Sequence, residues 1–161
     1  MSADQNSRPS NSNRRLVAIL FADIQGYTSL MQSNEQLGMT LLQKYQSTLN
    51  EKVSENGGEI IKNFGDGSLC VFSTALGAVS CAKALQQEML LEPKVPLRIG
   101  LHLGDVIYGN AINLASRIES MGVPGSVLIS QSLFLKVRNQ SEFSFRSLGS
   151  LTAHKLNDDS A

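Results

Sequence analysis

The apolar positions fall into segments of two periodicities. Leu16 to Ala22 is an unbroken apolar run that ends at Asp23 (LVAILFAD). Such a run predicts a central strand buried on both faces. Gly26 breaks it, and Thr28 or Ser29 is placed to cap the next helix. Leu30, Leu37, Leu41, Tyr45, Leu49 and Val53 recur at helical spacing and predict one long amphipathic helix, stopped at Gly57-Gly58. EIIKNF and SLCVFS flank the turn GDG and predict a β-hairpin. Ala75 to Leu91 reads as a helix closed by Pro93, and LRIGLHLGDVI as a strand. Asn110 to Met121 reads as a short helix, VPGSVLIS as a turn and strand, Gln131 to Arg138 as a short helix and FSFRSL as a late strand. The fold class is therefore α/β in the broad sense (α+β). Its opening order, βαββαβ, predicts a ferredoxin-like split βαβ core with extra C-terminal strands and helices.

The chain has 161 residues, enough for one domain with one core. Residues 2 to 13 (SADQNSRPSNSN) hold almost nothing apolar, so residues 1–14 are expected to be a disordered tail carrying Arg8 and Arg14. Residues 151–161 are expected to form a second tail. Fourteen basic residues balance fourteen acidic ones, which argues against bulk nucleic-acid binding. The longest apolar run falls far short of the roughly 20 residues of a membrane span, and no secretory signal is expected. Cys70 and Cys81 lie in apolar segments and read as core residues of a reducing, cytoplasmic setting.

Two carboxylates stand out by position. Asp23 ends the first strand, and Asp66 sits in the hairpin turn. In a split βαβ sheet these two strands are neighbours. Paired strand-end carboxylates repel unless a hard cation lies between them, and Mg²⁺ favours one or two carboxylates plus phosphate oxygens. The plainer alternative is a helix cap and a turn residue. IQGYTS runs from strand end to helix start, where backbone amides suit a phosphate. No P-loop is present. Lys62 precedes Asp66 by four residues; it is either a solvated strand lysine or a reader of an acidic or carbonyl group. Asn113 and Arg117 share a helix face, as a surface pair or as ligands of ribose and phosphate. His102 reads as a hydrogen-bonded structural residue. No second His or Cys supports a zinc site, and no His partner supports triad chemistry.

Together FADIQGYT, IKNFGDGSLCVF, RIGLHLGDV and YGNAINLASRIES resemble the class III adenylyl/guanylyl cyclase catalytic domain, in order and spacing, over roughly residues 15 to 148. The resemblance implies residues 15–150 as the catalytic domain and conversion of ATP to cyclic AMP and pyrophosphate. It puts two Mg²⁺ (or Mn²⁺) per site on Asp23, Asp66 and the Ile24 carbonyl. The triphosphate cradle falls on Gln25, Gly26, Tyr27 and Thr28. Lys62 falls where the purine is specified and resembles ATP-selective members. Asn113 would orient the ribose and Arg117 would stabilise the transition state. The resemblance also implies a head-to-tail homodimer, with the aspartates from one protomer and Lys62, Asn113 and Arg117 from the other. A regulatory domain or protein is a further expected partner.

Two stretches depart from the family pattern. GDVI runs straight into YGNAIN, without the arm that precedes Tyr108 in other members, and Val106 falls at the second purine-contacting (Asp/Thr) position, with Asp105 one residue off. The C-terminal LGSLTAHKLNDDSA lacks the usual lysine-bearing strand, for which Lys155 is a weak substitute. A guanylyl or relaxed-specificity cyclase, and a catalytically silent nucleotide-binding or dimerisation module, are the alternative expectations.

Overall fold

The computed structural model describes residues 16–105 and 110–149. The expected tails, the junction at Val106 and Tyr108, and Lys155 lie outside the described residues. Ten elements follow in order: β1 (Leu16–Ile24), α1 (Tyr27–Ser33), α2 (Glu35–Glu55), β2 (Gly58–Asn63), β3 (Gly67–Phe72), α3 (Ala75–Met89), β4 (Leu97–Asp105), α4 (Asn110–Ser120), β5 (Val127–Ile129) and α5 (Gln131–Val137). The strands form one sheet in the order β2-β3-β1-β4-β5. The first four pair antiparallel, and β5 joins β4 in parallel. This is the split βαβ arrangement with an added edge strand.

β1 is central because both its faces are apolar. Ala18, Leu20, Ala22 and Ile24 pack into the main core with Leu41, Tyr45 and Leu49 of α2 and Ala82, Leu85 and Met89 of α3. Val17 and Ile19 point the other way, into a smaller cluster with Leu69, Ala111 and Ala115. So α2 and α3 cover one face of the sheet, and α4 crosses the other. The α4 crossing is close because Gly100 has no side chain: a Cβ there would lie 2.7 Å from Glu119 Cα and 2.8 Å from the Ala115 carbonyl.

Three expectations need correction. The single long helix is two helices. Asn34 interrupts it, because its side chain accepts a hydrogen bond from Leu37 N at 3.2 Å and restarts the helix as an N-cap. Neither Thr28 nor Ser29 caps α1; that place is held by Gly26 in the left-handed region (φ 74°), with no side-chain cap. The third correction is FSFRSL, which forms no strand among its described residues. β5 is only three residues long and offers little ladder to extend. Phe143 and Phe145 instead pack against the main core, and Phe145 meets Phe134 of α5 edge to face at 5.2 Å.

Candidate active site

The first strand and the hairpin are neighbours, as the sequence predicts. Asp23 stands opposite Gly67 on β3 and opposite Arg98 on β4. Ile24 N donates to the Asp66 carbonyl at 3.0 Å, which ties the hairpin turn to the end of β1. Phe64 N donates to the Gly67 carbonyl at 2.7 Å and closes the turn, with Gly65 at φ 72°. A Cβ at position 67 would lie 3.4 Å from Asp23 Cβ and 3.1 Å from the Ala22 carbonyl, so glycine keeps open the space beside Asp23.

A buried hydroxyl chain supports this corner from below. Tyr45 OH donates to Ser68 Oγ at 2.8 Å, and Ser68 Oγ donates to Asn63 Oδ1 at 2.8 Å. Burial raises the Tyr45 hydroxyl above its ordinary range, so it stays a donor.

After Asp23 the chain turns sharply. Gln25 N donates to the Pro96 carbonyl at 2.8 Å, Gly26 adopts its left-handed conformation, and α1 begins at Tyr27. Gln25, Gly26 and Thr28 are exposed, whereas Tyr27 packs partly on the core. No side chain caps the start of α1, which follows Asp23 by four residues.

Lys62 reaches this face through a feature the sequence did not reveal. A β-bulge between Ile60 and Lys62 shifts the register, so Lys62 pairs with Leu69 rather than continuing the alternation. Leu69 lies on the Asp23 face. Lys62 Nζ sits 4.9 Å from the Phe64 ring centroid, and Phe64 stacks on Phe21 at 5.7 Å.

Asn113 is exposed and Arg117 half-buried on α4, while Ala111, Ala115, Ile118 and Glu119 face the sheet. Among the described residues no hydrogen bond or ion pair links Asn113 or Arg117 to Asp23, Asp66 or Lys62. One chain thus brings together Asp23, Asp66 and the Gln25–Thr28 turn, without a bond from them to the α4 pair.

Two further residues belong to the site. Arg98 grips Asp23 with a fork: Nε donates to Oδ1 at 3.1 Å and Nη2 to Oδ2 at 3.0 Å. Arg98 Nε also lies 3.1 Å from Glu119 Oε1, close enough to pair but outside hydrogen-bond alignment. Glu119 is only 2% exposed. Burial pushes its carboxyl up to about 8. A hydrogen bond with Asp23 and the charge of Asp23 act the same way, and Arg98 opposes them. One guanidinium therefore lies against two carboxyl groups. The signal for Glu119 was its place on the apolar stripe of α4, one residue after Ile118.

The donor set suits a hard cation shared with a phosphate. Among the described residues no three His, Cys, Asp or Glu side chains converge on a closed metal cage. Two carboxylates beside free amides leave coordination places for phosphate oxygens. His102 is structural, as read: its Nδ1 is 2.8 Å from Ser130 Oγ. Cys70 and Cys81 are free and buried, also as read, and burial pushes both thiols up to about 12. Among the described residues no helix is long and apolar enough to cross a membrane.

Comparison with known proteins gives the family. The model of the adenylate and guanylate cyclase catalytic domain matches residues 10–156, and the chain belongs to that family. It is 37% identical over 146 residues to putative adenylate cyclase 3 of Rhizobium meliloti, covering 82% of this chain and 25% of that protein. It is 33% identical over 135 residues to an adenylate cyclase of Glutamicibacter nicotianae, covering 78% of this chain and 33% of that one. The chain thus spans a quarter to a third of the length of these curated relatives. The crystal structure of an adenylate/guanylate cyclase/hydrolase from Silicibacter pomeroyi superimposes with a TM-score of 0.78 at 32% identity, over 87% of this chain and 90% of that one.

Proposed function

We propose that this chain is the catalytic domain of an adenylate cyclase, forming 3′,5′-cyclic AMP and pyrophosphate from ATP at sites completed across a head-to-tail homodimer. One observation carries the reading: the end of β1 at Asp23 and the Asp66 turn are tied together and lead directly into the exposed Gln25–Thr28 turn. Asp23, Asp66 and the Ile24 carbonyl would hold two Mg²⁺ or Mn²⁺ ions. When bound, these would supply Lewis-acid activation of the ribose 3′-hydroxyl and neutralise charge on the leaving pyrophosphate.

The chain's own groups do the rest. The amides from Gly26 to Thr28, with the Gln25 side chain beside them, would receive phosphate oxygens. Lys62 reads the purine edge and favours adenine. Asn113 orients the ribose so that its 3′-oxygen lies in line with the α-phosphate. Arg117 supplies positive charge where negative charge grows in the transition state. Among the described residues Asn113 and Arg117 make no hydrogen bond or ion pair with the aspartates of their own chain, which agrees with service to a partner's site. Two free, buried thiols agree with a reducing, cytoplasmic setting.

The test is product formation from ATP and from GTP with Mg²⁺ or Mn²⁺ at high protein concentration, with Asp23→Ala as the blank. Cyclic AMP from the wild type that disappears in the blank is the expected result. No product from a preparation that is dimeric and binds ATP would refute turnover and leave a nucleotide-binding module.

A further inference from the structure

Arg98 occupies the carboxylate that the proposed cation needs. Its fork takes both oxygens of Asp23. A divalent cation arriving at Asp23 brings two positive charges against that guanidinium, so the fork must loosen. An arginine with no other partner would resist, since release would leave a partly buried cation unpaired. Arg98 does have other partners, and they lie on α4. Glu119 Oε1 is 3.1 Å from Nε, and the Ser120 carbonyl accepts from Nη1 at 3.5 Å. Glu119 Oε1 is buried without a hydrogen bond of its own, and so has an acceptor site to spare. The carboxylate is held at this depth by the close seat of α4 on Gly100.

We propose that Glu119 is the alternative partner that draws Arg98 off Asp23 when a divalent cation binds, and so sets the affinity of the metal site. It is a positioning residue: it acts through Arg98. The idea rests on Asp23 being a cation ligand, as in the proposed function.

The experiment is direct Mn²⁺ binding by electron paramagnetic resonance on the purified full chain, without nucleotide and at one fixed pH of about 8.5, where the Glu119 carboxyl is ionised. Glu119→Gln leaves Arg98 with Asp23 as its main partner and is expected to weaken Mn²⁺ binding by about fivefold. Arg98→Met removes the competitor and is expected to tighten it. The deciding measurement is Glu119→Gln in the Arg98→Met background, where the effect is expected to shrink below about twofold. An equal loss in that background would mean that Glu119 acts on the cation by charge alone and would overturn the proposal. An unchanged affinity in the single Glu119→Gln chain would overturn it as well. Mn²⁺ binding indifferent to Asp23→Ala would remove Asp23 from the cation site, overturning both this inference and the reading beneath it.

Discussion

Replacing Gly100 by alanine adds one methyl group at the tightest seam of the molecule. That Cβ would lie 2.7 Å from Glu119 Cα, 2.8 Å from the Ala115 carbonyl and closer still to Glu119 N. Carbon atoms rest about 3.5–4.0 Å apart, so α4 must rise by about 1 Å. All three neighbours are backbone of one helix, and no side-chain rotation relieves them. Overpacking of this kind costs about 1–3 kcal/mol. The upper end applies here, because lifting α4 also loosens Ala111, Ala115 and Ile118 from β1 and β4. For a domain of this size, about 3 kcal/mol lowers Tm by about 6–12 °C. Circular-dichroism melting and urea titration measure it. Gly104→Ala gives the contrast: its Cβ would strike the Ala111 side chain. Adding Ala111→Gly should therefore recover most of that loss, whereas no side-chain truncation should rescue Gly100→Ala. A Gly100→Ala protein melting with the wild type would refute the close-packed seam, and with it the account of how Glu119 is held against Arg98.

Three further outcomes are expected. Mixing an Asp66→Ala chain with an Asn113→Ala chain should restore partial cyclase activity, since one of the two sites in the heterodimer is intact; no rescue in demonstrated heterodimers would sink the shared site. Cys70 and Cys81 should resist a thiol reagent at pH 8 until the chain unfolds, because burial pushes both thiols up to about 12; rapid labelling of native protein would contradict their placement. Burial holds His102 below its usual range, so the unfolded chain takes up a proton there before the folded one does. That contribution is intact above about pH 6.5 and is lost as the pH falls through it toward the lower folded value. A His102→Gln chain should therefore show a shallower decline in urea midpoint between pH 7.5 and 5.5, and identical slopes would count against it.

Much of the fold was legible because its elements obey simple periodicities. The doubly buried β1 announces itself as an unbroken apolar run, and the hairpin as two short runs about a Gly-rich turn. What failed was local. Asn34 sits inside a helical pattern that continues on both sides, so periodicity alone joins α1 to α2. The cap at Leu37 that separates them is a side-chain contest with the backbone. FSFRSL alternates like a strand, yet alternation only says that every second residue is buried. Phe143 and Phe145 achieve that against α5 and the core without a ladder.

The site divides along a similar line. Asp23, Asp66 and the Gln25–Thr28 turn were legible because each stands at the end of an element, where polar residues interrupt an apolar pattern. Lys62 was legible as a residue but not as a direction, since a bulge is invisible to a count of alternating positions. Arg98 and Glu119 were hidden for a different reason. Each lies within an element, on a face that its neighbours mark as inward. Arg98 alternates with Gly100 on β4, and Glu119 shares the stripe of Ala111, Ala115 and Ile118. A charge on an inward stripe is a contradiction that only a partner removes, and the partner is on another element. Since Asp23 is the group both converge on, the two unexplained inward charges point to the same carboxylate that the end-of-strand pattern singled out independently.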